Sequence, residues 1–373
     1  MKRLAIITTH PIQYYAPLFR MLSKRKNILI KVFYTWDKNE ALYDIDFKKS
    51  FEWDIPLLEG YEYCYASSSL IREIENWGAQ AVLVFGWNFS HHLKAMRYFK
   101  KKIPVLFRGD STLLDEEPGL RRILRRLFLT WVYRHLDFGL YVGTNNKKYF
   151  QVHGVREDQL IFAPHAIDND RFYDKDGKYG EEAKKIRSEL GIPDNDILFT
   201  FVGKFQEKKN PLFIVNAFIK LAMPNVHLLM VGNGVLEPIL KEKARENKNI
   251  HFMEFQNQSR MPVVYRIGEV FCLPSKGPEE TWGLAVNEAM ASERAVLVSD
   301  RCGCSIDLVE NKRNGFRFRS GDMNDLLDKI KLFLEQKDTI KVKGRESAEI
   351  IKNWSYDQCA PVIEKIVLNI HAV

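Results

Sequence analysis

Residues 270–291 read VFCLPSKGPEETWGLAVNEAMA, and this stretch predicts a strand, a loop and a helix in succession. The apolar run before Pro274 is typical of a buried strand, and the helix is expected to begin near Gly283. Glu280 and Glu288 are eight residues apart, so one carboxylate lies on the loop and the other about a turn and a half into the helix. Both can therefore face one ligand, and the helix N-terminus between them can bind an anion such as a pyrophosphate.

The same alternation of short apolar strands with helical stretches runs through the whole chain. Because parallel strands are joined by helical crossovers, this pattern predicts an α/β protein with parallel sheets. The polar stretch 169–189 lacks an apolar period and separates two groups of strands. The first group is predicted at 4–9, 29–36, 81–87, 104–108, 138–144 and 160–163, and the second at 197–203, 226–232, 250–255, 270–274, 295–299 and 315–318.

Length and strand grouping together predict two Rossmann-like domains, because 373 residues exceed what one core usually fills. We place the first domain at 1–170, the linker at 171–188 and the second domain at 189–354. A C-terminal helix within 355–373 is expected to be able to pack back on the first domain. Ligands of such sheets bind beyond the carboxyl ends of the strands, so the two sheets are expected to face each other across a cleft.

Composition narrows the function classes. The net charge of +8 is concentrated in residues 94–134, which hold eleven basic and four acidic residues, whereas a nucleic-acid coat would be spread more widely. Five scattered cysteines and nine histidines show no metal-binding spacing, and Walker and nucleophile-elbow motifs are missing. An apolar run of membrane-spanning length is also missing, as is a signal peptide at the start. These features indicate a cytoplasmic protein with reduced thiols and without a bound metal.

Residues 280–291 resemble the E-x7-E signature of glycosyltransferase family 4, including the aromatic-Gly-Leu and Glu-Ala-Met-Ala around it. Companion motifs follow the family's order at 201–204 with Lys209, at 231–234, and at 299–300 with Gly303. The resemblance covers nearly the whole second domain. It implies the GT-B fold and transfer of a sugar from a nucleotide donor to an acceptor hydroxyl with retention of configuration. It also implies metal-independent chemistry in which the departing phosphate takes the acceptor proton.

The resemblance assigns roles to residues of the second domain. Glu288 is similar to the residue that holds the donor ribose, and Glu280 to the one that contacts the donor sugar. Lys204 and Lys209 correspond to the Arg and Lys that grip the diphosphate, although Lys204 lacks the bidentate fork of the usual arginine. Taken alone, each glutamate and lysine would equally fit a solvated surface charge. The other donor-binding candidates are Gly203, Gly232, Thr281, Gly283 and Leu284.

The first domain matches the family less closely and is expected to bind the acceptor. His10 and Gln13 follow the first predicted strand, and Trp87 ends the third, so all three are acceptor-side candidates. His10 would equally suit a residue that only caps or packs. Residues 302–304 read Cys-Gly-Cys where the family usually has a Gly-Gly pair. Gly303 fits this pair and Cys304 does not, and we interpret both cysteines as structural.

Arg108 and Asp110 lie nearest the position at which relatives carry a histidine. An arginine there would stabilise the leaving-group charge, whereas an aspartate would accept a hydrogen bond from the acceptor hydroxyl. A surface ion pair between Arg108 and Asp110 is the structural alternative, and the sequence leaves the choice open. Residues 164–168 are interpreted as structural.

Residues 119–137 predict an amphipathic helix with four arginines, Arg121, Arg122, Arg125 and Arg126, beside an apolar stripe. In one interpretation the stripe packs on the sheet and the arginines are solvated. In the other the stripe still packs, and the arginines face an anionic membrane, from which salt should release the protein. The stripe comprises Leu120, Ile123, Leu124, Leu127, Phe128, Trp131 and Val132.

The sequence therefore predicts a cytoplasmic glycosyltransferase that takes a UDP- or GDP-sugar as donor and a glycan or lipid-linked acceptor. Cell-envelope polysaccharide, lipopolysaccharide or glycolipid synthesis is the expected setting, with peripheral attachment to the inner face of the membrane. Two alternatives remain. A hydrolysing sugar-nucleotide epimerase of similar fold would release free nucleotide and an altered sugar without acceptor, and a non-catalytic partner subunit would bind no donor.

Overall fold

The computed structural model describes residues 1–36, 43–44, 49–50, 53–66, 68–278 and 280–369. The chain forms two compact units. The first contains residues 1–166 and returns at Ser355, and the second contains Ile167–Trp354. The predicted pair of α/β units with parallel sheets is confirmed, whereas a cleft between them stays a prediction.

Each unit is built on a parallel sheet. The described strands are β1 (Lys2–Thr8), β2 (Ile28–Tyr34), β3 (Tyr43–Asp44), β4 (Lys49–Ser50), β5 (Glu62–Tyr65), β6 (Ala81–Phe85), β7 (Val105–Arg108), β8 (Phe138–Tyr141), β9 (Leu160–Phe162), β10 (Ile197–Val202), β11 (Val226–Val231), β12 (Ile250–Met253), β13 (Val270–Leu273), β14 (Ala295–Ser299) and β15 (Gly315–Phe318). In the described part of the chain the first sheet has the order β5-β2-β1-β6-β7-β8-β9 and the second β12-β11-β10-β13-β14-β15. Strands β3 and β4 form a short antiparallel pair.

Helices connect the strands and cover the sheets. They are α1 (Ala16–Ser23), α2 (Leu70–Trp77), α3 (Ser90–Phe99), α4 (Leu120–Tyr133), α5 (Thr144–Val152), α6 (Asn169–Phe172), α7 (Lys178–Glu189), α8 (Pro211–Leu221), α9 (Glu237–Ala244), α10 (Met261–Arg266), α11 (Leu284–Ala291), α12 (Ser305–Leu308), α13 (Met323–Glu335), α14 (Ile340–Ile351) and α15 (Tyr356–Asn369). Short 3-10 turns lie at Glu157–Gln159, Glu207–Lys209 and Lys337–Thr339.

The central strands are mostly apolar because helices cover both faces of each sheet. Every residue of β10, β11, β13 and β14 is buried. All twelve predicted strands are present. The edge strand β5 was not predicted, because its sequence EYCY is half exposed and shows no apolar alternation.

The C-terminal helix α15 belongs to the first unit. Its residues Ile363 and Val367 are buried in the same apolar cluster as Leu4 and Phe19. The Tyr356 hydroxyl donates to the carbonyl of Tyr14 at 2.7 Å. These contacts join the two ends of the described chain in one core.

The stretch 171–188 differs from the predicted linker, because it contains the end of α6 and nearly all of α7 and lies within the second unit. Helix α7 packs through Ala183 and Arg187 rather than through an apolar stripe. The Arg187 guanidinium is buried and donates to Glu269 at 2.7 Å. It also donates to the carbonyls of Pro193 and Asp196, at 3.0 and 2.6 Å. The buried contact of α7 is thus made by an arginine, and such a contact leaves no hydrophobic periodicity in the sequence.

Candidate functional site

Two predicted site residues from distant parts of the second unit form an ion pair. Lys209, which ends the turn after β10, places its Nζ 2.9 Å from Oε2 of Glu280 in the loop after β13. The Ser275 hydroxyl donates to the same carboxylate oxygen at 3.0 Å. The Glu280 side chain is 9% exposed and that of Lys209 is 17% exposed. The loops that follow two adjacent strands thus hold opposite charges together at the carboxyl edge of the sheet.

The electrostatics of this pair keep Lys209 protonated. Burial by itself would lower the pKa of the Lys209 ammonium, but the adjacent Glu280 carboxylate outweighs it and raises the pKa above the ordinary value. The charge of Glu288 acts on the Lys209 pKa in the same direction. Lys209, Glu280 and Glu288 therefore form one electrostatic cluster.

The start of α11 requires glycine. Gly283 has φ +95°, and a Cβ atom there would lie 2.5 Å from the Cys302 sulfur. The Cys302 thiol donates to the Trp282 carbonyl at 3.0 Å, and its sulfur lies 3.6 Å from that of Cys304. Both cysteines are buried. Close packing beneath the loop thus sets the point at which α11 begins.

The remaining donor-binding candidates surround the same edge. A Cβ atom on Gly232, at φ +137°, would lie 2.2 Å from the Gly203 carbonyl oxygen, so the loops after β10 and β11 touch through their backbones. Lys204 and Thr281 are half-buried, and Leu284 is the first residue of α11. The predicted set thus lies on loops at one edge of one sheet.

Glu288 is 3% exposed and lies in a polar cluster that the sequence did not reveal. The hydroxyl of Tyr265, in α10, donates to Glu288 Oε2 at 2.7 Å. Arg171, in α6, has a guanidinium nitrogen 3.8 Å from Glu288 Oε1 and donates to Gln258 at 2.7 Å. Ser275 could have been found from its place directly after a strand end. Tyr265 and Arg171 carry no such signal, because they lie on helices outside any motif.

The acceptor-side candidates occupy the first unit. His10 stacks on Trp36 with ring centroids 4.5 Å apart, and burial lowers its pKa. Gln13 is half-buried in the turn before α1, and Trp87 packs edge-on against Phe128 at 5.5 Å.

Arg108 and Asp110 have different surroundings. The Arg108 guanidinium is buried and donates to the carbonyls of Ala163 and Pro164, at 2.7 and 2.8 Å. Asp110 is 42% exposed, with its Oδ2 3.8 Å from Nε2 of His165. Burial, opposed by Asp110 and reinforced by Arg108, lowers the pKa of His165 to about 4. A surface ion pair does not describe this buried Arg108, and the geometry favours Asp110 as the group that a ligand can reach.

Helix α4 corrects both sequence interpretations of residues 119–137. They assumed that the apolar stripe packs on the sheet, but of its seven members only Val132 is buried. Leu129, Val132 and Tyr133 form the buried face instead. Two of the four arginines bind within the unit, because Arg125 donates to the Tyr149 hydroxyl at 3.4 Å and Arg126 pairs with Glu116 at 3.1 Å. Periodicity identified the apolar stripe but not whether it faces the core or the outside of the unit.

Within the described residues, no three His, Cys, Asp or Glu side chains are grouped so that they could hold a metal ion. In the same part of the chain, every helix is too short or too polar to cross a bilayer.

Residues 182–353 match the family model for glycosyl transferases group 1. Among curated proteins, the chain is 27% identical over 222 residues to a D-inositol 3-phosphate glycosyltransferase of Nocardia farcinica, covering 56% of this chain and 47% of that protein. It is 25% identical over 221 residues to the alpha-monoglucosyldiacylglycerol synthase of Acholeplasma laidlawii, covering 57% and 54%. The chain thus spans about half the length of the curated relatives it matches.

Solved structures match over nearly the whole chain. HepE of Anabaena in complex with UDP has a TM-score of 0.76 at 15% identity, covering 99% of this chain and all of that one. WaaG, a glycosyltransferase involved in lipopolysaccharide biosynthesis, has a TM-score of 0.67 at 15% identity, covering 98% of this chain and all of that one. The two α/β units therefore have the fold of GT-B glycosyltransferases, and residues 182–353 of the second unit match the group 1 family model.

Proposed function

We propose that the chain is a retaining glycosyltransferase of family 4 that moves a hexosyl group from a nucleotide sugar to an acceptor hydroxyl. The observation that carries this proposal is the buried pair of Lys209 and Glu280 at the start of α11, inside the segment that matches the family model. The names of the relatives, which are sugar transferases, and the UDP bound by HepE support the same class of donor.

The leaving nucleoside diphosphate is the group that needs stabilisation in such a transfer. Lys204 and Lys209 supply positive charge, and the N–H groups at the start of α11 point their dipoles toward an anion. Among the described residues, no side chain caps this helix and its first turn holds no acidic residue, so these N–H groups are available to phosphate oxygens. This donor set performs the task that a divalent cation performs elsewhere, and we propose a metal-independent reaction.

The two glutamates bind the two sugars of the donor in this proposal. Glu280 accepts hydrogen bonds from hydroxyls of the transferred sugar, with Lys209 and Ser275 fixing its carboxylate. Glu288 accepts from the ribose hydroxyls, with Tyr265 orienting one of its oxygens. Tyr265 is a positioning residue, because it acts through Glu288.

The acceptor binds to the first unit in this proposal. Asp110 accepts a hydrogen bond from the acceptor hydroxyl, and His10, Gln13 and Trp87 form the acceptor side. The acceptor is a glycan or a lipid-linked sugar of cell-envelope, lipopolysaccharide or glycolipid synthesis. The enzyme acts in the cytoplasm, peripherally attached to the inner face of the membrane.

The direct test is thermal stabilisation of the whole chain by a panel of nucleotides and nucleotide sugars. A nucleotide at about 100 times its Kd stabilises by about 2.7 kcal/mol, which is a readily measured shift in Tm. We expect UDP or GDP to stabilise the wild type and the control Glu189→Ala, whose side chain is exposed in the same unit, by equal amounts, and to stabilise Glu288→Ala by less than half as much. A panel in which every nucleotide leaves the Tm unchanged contradicts the proposal. Product analysis then separates transfer from epimerisation, which yields an altered free sugar without acceptor.

A further inference from the structure

The outward face of helix α4 is an apolar surface. Its large side chains are 37% to 71% exposed. At 100° per residue, all of them except Phe128 fall within an arc of about 100°, and Phe128 lies about 40° beyond it. Contiguous apolar surface of this kind on a folded unit marks a contact site. The outward face consists of Leu120, Ile123, Leu124, Leu127, Phe128 and Trp131.

The opposite face of α4 holds the helix firmly on the first unit. Leu129, Val132 and Tyr133 are buried in the apolar cluster that contains Val105 and Phe107 of β7. Arg125 and Arg126 bind Tyr149 and Glu116 from the same side. Because this face is buried, the apolar stripe on the other side of α4 is left exposed among the described residues.

Basic side chains lie beside the apolar face and at the ends of α4. Arg121 and Arg134 are exposed at the two ends of the helix, and the Arg97 guanidinium lies 5.4 Å from the centre of the Trp131 ring. Residues 94–134 hold eleven basic and four acidic residues. This charge disfavours a second copy of the chain as the partner, because the same positive surface would face itself. It complements an anionic surface.

We propose that this apolar face inserts into the interfacial region of an anionic lipid bilayer, with Arg97, Arg121 and Arg134 among the headgroups. An apolar stripe with a basic rim and a tryptophan is the arrangement by which an amphipathic helix lies in a membrane interface. The inference rests on the proposed function only in that a lipid-linked acceptor would be found there. It differs from attachment through arginines alone, because buried apolar side chains retain the protein when salt screens the charges.

The test is co-sedimentation of the full chain with vesicles of phosphatidylcholine alone and of phosphatidylcholine mixed with phosphatidylglycerol. We expect binding to the mixed vesicles at about 0.15 M salt, and a bound fraction that persists at about 1 M, where the Debye length is about 3 Å. Replacing Leu124 and Leu127 together by Gln should lower the partition coefficient at least about tenfold at both salt concentrations. Replacing Arg121 and Arg134 together by Gln should lower it only at low salt.

A matched control is the joint replacement of Val235 and Ile239 by Gln, which removes equally exposed apolar side chains from the second unit and should bind vesicles as the wild type does. The proposal is overturned if the wild type stays in the supernatant, if the Leu124 and Leu127 variant binds normally, or if sedimentation velocity shows that the stripe mediates self-association. Nucleotide-induced stabilisation, measured on the same samples, reports separately on the proposed function. Its failure leaves the vesicle result standing, and the reverse also holds.

Discussion

The ion pair of Lys209 and Glu280 should couple strongly in a double-mutant cycle made with Lys209→Met and Glu280→Gln. Removing one partner of a buried pair costs about 3–5 kcal/mol, because the other charge stays desolvated. Both side chains keep some exposure, 17% and 9%, so we expect Lys209→Met to cost about 3 kcal/mol, the lower end of that range. Gln at position 280 removes the carboxylate charge that Lys209→Met leaves unpaired. The double variant should therefore lose about 2 kcal/mol less free energy of unfolding than the sum of the two single changes.

The same unit provides a matched exposed pair. Lys276 and Glu207 lie 2.6 Å apart with side chains that are 43% and 66% exposed, and such pairs are worth about 0.2–1 kcal/mol. The corresponding changes, Lys276→Met and Glu207→Gln, form the control cycle.

The assay is urea unfolding of the full chain, read by pulsed hydrogen exchange on peptides from β10 and β11. This readout isolates the transition of the second unit, since a two-domain chain need not unfold in one step. The reasoning is refuted if the coupling energy of Lys209 and Glu280 is no larger than that of the control pair.

Four further outcomes are expected. Glu288→Ala should weaken nucleoside diphosphate binding by about 1.5–3 kcal/mol, measured by calorimetry, and Tyr265→Phe should weaken it less; equal loss in both variants would contradict a positioning role for the tyrosine. Glu280→Ala should lower kcat more than it raises the Kd of the nucleotide, and the opposite ranking would remove Glu280 from the sugar subsite. Turnover should survive EDTA, and loss restored by magnesium or manganese would show a required metal. His165 has a folded pKa of about 4 against 6.5, so the unfolded chain takes up a proton that the folded chain does not. Its stabilising contribution, full above pH 6.5, should therefore fall as the pH drops toward 4, by about 2 kcal/mol at pH 5, and urea titrations of His165→Asn should lack this part of the loss.

The sequence was informative where local pattern and structure coincide. Central strands are buried on both faces, so they appear in the sequence as nearly continuous apolar runs, and all twelve predicted strands are found in the two sheets. Lys209 and Glu280 are 71 residues apart, yet each was predicted in a loop that follows a strand, and parallel strands bring such loops to one edge of the sheet. The family resemblance supplied their roles.

Side-chain environments were the part that the sequence could not supply. Helix α7 looked like a linker because its buried contact is made by Arg187, a residue whose charge argues for exposure unless its partners are known. Arg108 looked like a ligand-binding cation, but its guanidinium is bound by backbone carbonyls, and no sequence motif indicates such partners. Helix α4 shows a third limit, because periodicity defines two faces of a helix without saying which of them meets the core.

The place of helix α15 makes the second unit an insertion within the first. The chain leaves the first unit after Ala166 and re-enters it at Ser355. Synthesis of the second unit therefore takes roughly 10–40 s, during which the first unit lacks the helix that completes its core. Ile363 and Val367, which belong to that core, are synthesised only afterwards. The second unit can therefore fold without the completed first unit, and a chain truncated after Trp354 should contain a folded second unit beside an incomplete first one that chaperones can bind.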